Sequence, residues 1–65
     1  MGGDFDRDLR RLLTSAGWSL ARQGKGSHEI WRHPDVPHRL TVPTGIKSRH
    51  TANAILRQAR VAARL

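Results

Sequence analysis

Residues Trp18 to Val42 read WSLARQGKGSHEIWRHPDVPHRLTV, and the period of this stretch decides the fold. Trp18, Leu20 and Arg22 alternate with Ser19, Ala21 and Gln23, the period of two that belongs to a strand. Gly24-Lys25-Gly26 interrupts the alternation as a turn, and a second strand runs from about Ser27 to His33. Pro34-Asp35-Val36-Pro37 reads as a loop, because two prolines so close together cannot sit inside a hydrogen-bonded ladder. His38 to Val42 forms a third strand, with Leu40 and Val42 on one face, and Pro43 stops it. Connections this short join antiparallel neighbours, so the stretch is a three-stranded meander.

Helical periodicity frames the meander on both sides. Phe5, Leu9, Leu12, Leu13 and Ala16 trace one helical face, with Asp4 and Asp6 placed as N-cap and first-turn acids. Arg10 and Arg11 lie toward the other end, and Gly17 is the expected stop. After Pro43, Thr44-Gly45 opens a loop and Ser48 or Thr51 can cap a closing helix. Ala52, Ile55, Leu56, Ala59 and Ala62 or Ala63 form its apolar stripe, with Arg57, Arg60 and Arg64 off it. The expected architecture is therefore α+β, in the order α-β-β-β-α. Both helices pack on one face of a three-stranded antiparallel sheet. Residues 1–65 read as a single domain. Adjacent strand residues point to opposite faces, so Ile30 and Trp31 must part company. Ile30 is expected under the helices with Leu20, Leu40 and Val42, which leaves Trp31 on the open face as a contact surface.

Composition narrows the function. A chain of 65 residues hides only about 60% of its unfolded surface. There is no cysteine, hence no disulfide framework and no Cys-based zinc site. No apolar run approaches the roughly 20 residues of a membrane span. Met1 to Arg11 alternates acids and arginines and has no secretory-signal character. A cytoplasmic chain with no membrane partner is the expectation. Twelve Lys and Arg against five Asp and Glu leave +7, and the pI is about 11.8. That field concentrates polyanions, so nucleic acid is the first partner to consider, ahead of an anionic membrane or an acidic protein.

The chemistry centres on Arg22-Gln-Gly-Lys25-Gly-Ser27-His28-Glu29. Two glycines and a serine present backbone N–H groups in a tight turn beside Lys25, a geometry that cradles phosphate. The spacing is not that of a nucleotide P-loop, and a strand follows where a helix is required. His28 opens the strand next to this turn. Histidine has an unperturbed pKa of about 6.5, which suits proton transfer near neutral pH. Beside a bound phosphate, a neutral imidazole can take the proton of an RNA 2′-hydroxyl, which then attacks the adjacent phosphorus. Lys25 and the turn amides would stabilise the charge that builds there. The plainer alternative is a surface histidine that packs or binds phosphate passively. Arg22, Lys25, Gly26, Ser27 and Arg32 are the candidate RNA contacts, and the arginines of the last helix are equally a solvated face. A metal site on His33, His38, His50 and Asp35 is weakly supported, and no cofactor is expected. Glu29 falls on the opposite face from His28 and is expected to be solvated. Lys25, Ser27 and His33 are candidates for a general acid, none of them compelling.

Gly17-Trp18, Arg22, Lys25-Gly26-Ser27-His28 and Ile30-Trp31-Arg32-His33-Pro34 together resemble the HicA (YcfA-like) family of mRNA interferase toxins. Thr41-Val42-Pro43 and Ile55-Leu56-Arg57-Gln58-Ala59 continue the likeness, which spans roughly Leu9 to Val61. The resemblance implies a double-stranded-RNA-binding-domain-like fold, mRNA cleavage with His28 as catalytic residue, and neutralisation by a HicB-type antitoxin. It departs at Arg60, where the family often has glycine, and in the brief segment after Pro43 that holds Lys47 and Arg49. The alternative function is a non-catalytic double-stranded RNA-binding module, which the same fold supports through basic side chains and 2′-hydroxyl contacts. A DNA-binding regulator is weaker, since no helix-turn-helix pair is visible.

Overall fold

A computed structural model describes residues 4–65; Met1 to Gly3, the start of the stretch read for a signal, lie outside it. The elements are α1 (Asp6–Ser15), β1 (Ser19–Gln23), β2 (His28–His33), β3 (Val36–Pro43) and α2 (Arg49–Gln58), in the expected α-β-β-β-α order. The sheet is antiparallel with β2 in the centre. Leu9 and Leu13 of α1, Leu40 and Val42 of β3, and Ala52, Ile55 and Leu56 of α2 meet in one core with Trp18 and Trp31.

The two helices end in the same way. At α1, Gly17 N–H donates to Thr14 O (3.1 Å) and Trp18 N–H to Leu13 O (3.0 Å). At α2, Arg60 N–H donates to Arg57 O (3.1 Å) and Val61 N–H to Leu56 O (2.9 Å). Both pairs are Schellman closures that satisfy two carbonyls of each last turn. Their two ends are then joined, because the buried Trp18 indole N–H donates to Ala59 O (3.0 Å).

The left-handed position of the α2 closure is held by Arg60, at φ 60°. A side chain there is strained by roughly 1 kcal/mol, which glycine avoids, although glycine returns part of that through its freer unfolded chain. Arg60→Gly is therefore expected to raise stability by up to about 1 kcal/mol. It should shift the urea midpoint upward at unchanged slope; a lower midpoint would contradict the assignment. The same closure ends α2 at Gln58, short of the Ala62 or Ala63 that periodicity allows. The chain then folds back, and Asn53 clasps Leu65 through Nδ2–H to the carbonyl (3.1 Å) and Oδ1 from the N–H (2.7 Å).

The helix starts differ from each other. Ser48 caps α2, its Oγ accepting from Thr51 N–H at 3.3 Å. At α1 the N-cap position belongs to Phe5, with no side-chain cap, where an acid was expected, while Asp6 does sit in the first turn. Asp6 reaches across the fold instead. Its carboxylate accepts from Gly45 N–H (2.8 Å) and Ile46 N–H (2.9 Å), and Phe5 N–H donates to Ile46 O (3.3 Å). The loop between β3 and α2 is thereby fastened to the first helix.

The expected assignment of faces on β2 is reversed. Trp31 is buried, and Ile30 lies on the open face with His28 and Arg32. Trp31 pairs with Leu40 and Glu29 with Val42, both core residues of β3. A tryptophan has a large area to bury and an N–H that needs a partner. Glu29 supplies that partner on the same face, accepting from Trp31 Nε1–H at 3.0 Å. Arg10 of α1 then donates from Nε to the same carboxylate oxygen at 3.0 Å. Glu29 is therefore half-buried and ion-paired, not solvated as expected. Leu20, expected in the core, is 50% exposed although it pairs with Trp31, because all of edge strand β1 is uncovered and its register slips between Leu20 and Arg22. The β2–β3 connection is also tighter than expected. Only Pro34-Asp35 turns, while Val36 and Pro37 already belong to β3. An edge strand whose register with β2 is irregular between Trp31 and His33 tolerates Pro37.

Candidate active site

The open face of the sheet is built by register. His28, Ile30 and Arg32 share it along β2. Arg22 of β1 and Thr41 of β3 flank Ile30, Ser19 flanks Arg32, and Pro43 flanks His28. Arg22, His28 and Arg32 therefore come together on one face. The turn that carries Lys25, Gly26 and Ser27 adjoins His28 directly.

That turn is closed by few bonds. Gly24 N–H and Gln23 Nε2–H both donate to His28 O, at 2.8 and 3.2 Å, and His28 N–H donates to Lys25 O at 3.3 Å. Ser27 O accepts from Thr44 N–H at 2.7 Å, which ties the turn to the end of β3. Among the described residues, the N–H groups of Lys25, Gly26 and Ser27 have no acceptor within the protein. Gly26 sits at φ 60°, the left-handed backbone that sets successive N–H groups into a concave array. Three backbone donors of this turn, in the segment that also carries Lys25, are thus unspent.

His28 is exposed, and its Nδ1 lies 3.3 Å from Lys25 O. A carbonyl only accepts, so this contact assigns the proton to Nδ1. Nε2 has no partner among the described residues.

His33 and His38 serve the fold. His33 Nδ1 accepts from Asp35 N–H (3.0 Å), which leaves Nε2–H to donate to Ala16 O (2.8 Å) at the end of α1. His38 Nε2–H donates to Gln58 O (3.2 Å) at the end of α2. Both rings lie against Trp18, with centroids 5.3 and 6.1 Å away. At about 3.3 Å per residue, His33 is roughly 16 Å along β2 from His28, too far to act as its general acid. Lys25 and Ser27 remain beside His28. Among the described residues, no group of three or more His, Asp or Glu side chains is assembled for a metal. Arg57 and Arg60 are exposed at the C-terminal end of α2, which meets Trp18 at the far end of the sheet from His28, and Arg64 is exposed in the tail that folds back to Asn53.

The fold and the His28 turn now stand beside a match to a family model described as HicA toxin of bacterial toxin-antitoxin, over residues 7–61. The chain belongs to the HicA toxin family. The matched span holds the His28 turn, all three strands, α2 and all but the first residue of α1. A HicA toxin is one half of a toxin–antitoxin pair, so an antitoxin partner comes with the family. No curated protein and no solved structure matches the chain. No helix among the described residues is long and apolar enough to cross a membrane.

Proposed function

We propose that this HicA toxin is a metal-independent endoribonuclease that cleaves mRNA with His28 as general base and is neutralised by a HicB-type antitoxin. The observation that carries the reading is the His28 contact to Lys25 O, which leaves Nε2 open beside three unspent turn amides. A scissile phosphate bound by Lys25, Gly26 and Ser27, with Arg22 and Arg32 along the flanking backbone, brings a 2′-hydroxyl to Nε2. His28 takes the hydroxyl proton, and the 2′-oxygen forms its bond to phosphorus. The bond from phosphorus to the 5′-oxygen then breaks. The leaving oxygen takes a proton from Lys25, from Ser27 or from water. The products are a 2′,3′-cyclic phosphate and a 5′-hydroxyl. Turn amides and the Lys25 ammonium stabilise the charge of the phosphorane on the way.

Incubation of the purified chain with end-labelled RNA in excess chelator tests this. Cleavage is expected at full rate, with cyclic phosphate and 5′-hydroxyl ends. Activity that appears only on adding a divalent metal would overturn the mechanism. Salt-sensitive RNA binding with no cleavage would favour the non-catalytic binder instead.

A further inference from the structure

A groove of about 370 Å³ lies between the end of β3 and the start of α2, lined by Pro43, Thr44, Ile46, Lys47, Ser48 and Thr51 together with Gly45. It opens at the site already described. Pro43 is the cross-strand partner of His28, and such partners have Cα atoms only about 4.5–5.5 Å apart. Thr44 N–H is bonded to Ser27 O at 2.7 Å, so the groove wall and the phosphate turn form one continuous surface.

The groove is held in shape from outside. Asp6 fixes Gly45 and Ile46 through their N–H groups, and Ser48 Oγ accepts from Thr51 N–H. The lining residues are mixed in character: apolar Pro43 and Ile46, hydroxyl-bearing Thr44, Ser48 and Thr51, and the cationic Lys47. No lining residue is acidic. The nearby Asp6 carboxylate is engaged by two N–H groups and stands 4.0 Å from Arg10. Volume and lining suit a small ligand with an apolar face, polar edges and an attached anion. A nucleotide of a single-stranded RNA has that chemistry, since unstacked bases are read along their edges.

We infer that this groove receives the nucleobase next to the scissile phosphate, with Lys47 on the adjoining phosphate, and so sets the sequence preference of cleavage. The inference rests on the ribonuclease reading above. Short RNA oligonucleotides that differ at one base, with a 2′-deoxy sugar at the cleavage position, separate binding from chemistry. In NMR titrations of the full chain they are expected to move the amides of Thr44, Gly45, Lys47 and Thr51 along with those of the His28 turn. Thr51→Val, which keeps the β-branch and loses the hydroxyl, should change the ratio of affinities among the base variants by roughly 2- to 10-fold. Lys47→Ala should weaken all of them alike and flatten the slope of log affinity on log salt by about 0.7. Unmoved groove amides, or base discrimination untouched in Thr51→Val, would overturn the inference while leaving cleavage by His28 intact. Groove binding without any cleavage of the all-ribose oligonucleotide would remove the ribonuclease reading, and with it the claim that the groove selects a cleavage site.

Discussion

His28→Ala is expected to lower RNA cleavage by about 10²–10⁴-fold, the loss usual for a positioned acid–base group. The fold should barely register the change. His28 is exposed at the start of a strand, and its side chain makes a single long hydrogen bond, to Lys25 O. Losing that bond is worth no more than about 0.5–1.5 kcal/mol. RNA affinity should also persist, because Arg22, Lys25 and Arg32 supply the charge that holds phosphate. Rates on labelled RNA, affinities on an uncleavable analogue and a thermal melt separate the three effects. His28→Gln serves as a second variant that keeps a polar side chain at the position. Wild-type cleavage in either folded variant would move catalysis to another residue.

Trp18→Ala is expected to unfold the protein at 25 °C. Truncating a buried tryptophan usually removes about 3–5 kcal/mol. A protein of this size rarely has more than roughly 3–5 kcal/mol in total. Trp18 is 2% exposed, and its loss would also leave the Ala59 carbonyl at the end of α2 without its donor. Trp18→Phe refills much of the space without the N–H, so it should fall between the two. One-dimensional NMR dispersion and urea midpoints distinguish these states. A Trp18→Ala chain that melts within a few degrees of the parent would mean that Trp18 does not hold the helix ends together.

The sequence disclosed the order of the elements because each carries its own period and its own punctuation. Gly17 and Ser48 stand where the structure ends α1 and caps α2. The His28 turn was legible for the same reason, since two glycines interrupting a period of two mark a turn, and Gly26 does adopt the left-handed backbone that glycine permits. The choice of face on β2 was not. Alternation separates Ile30 from Trp31 but assigns neither to the core, and hydrophobicity alone favoured isoleucine. What decided it was a polar relay in which Arg10 on one helix neutralises Glu29, and Glu29 accepts from Trp31. Glu29 and Trp31 two residues apart on a strand were a visible hint of that relay. Its other half, Arg10, is 19 residues away in sequence. The roles of His33 and His38 were hidden likewise, because a helix end becomes a neighbour only once the sheet is packed. The groove beside Pro43 depends on Asp6 acting at a distance, where first-turn acids are normally explained by their own helix.

The spacing of these contacts along the chain bears on how the molecule comes apart. The bonds from Gly45 and Ile46 to Asp6, and from Trp18 to Ala59, close separations of 39, 40 and 41 residues. Forming such a closure is entropically dearer by roughly 2 kcal/mol than closing a hairpin turn of about five residues. The meander can therefore assemble from local pairings, with the helices docking late, and fluctuations would follow the reverse route. Hydrogen exchange should accordingly reach α1 and the β3–α2 loop through partial openings that spare the β2–β3 pairing. An excursion that lifts Asp6 away also unseats the wall next to His28. The His28 turn is tethered mainly by bonds among residues 23–28, with the Thr44 N–H to Ser27 O bond as its one link to that wall, so His28 would largely keep its place while its surroundings breathe.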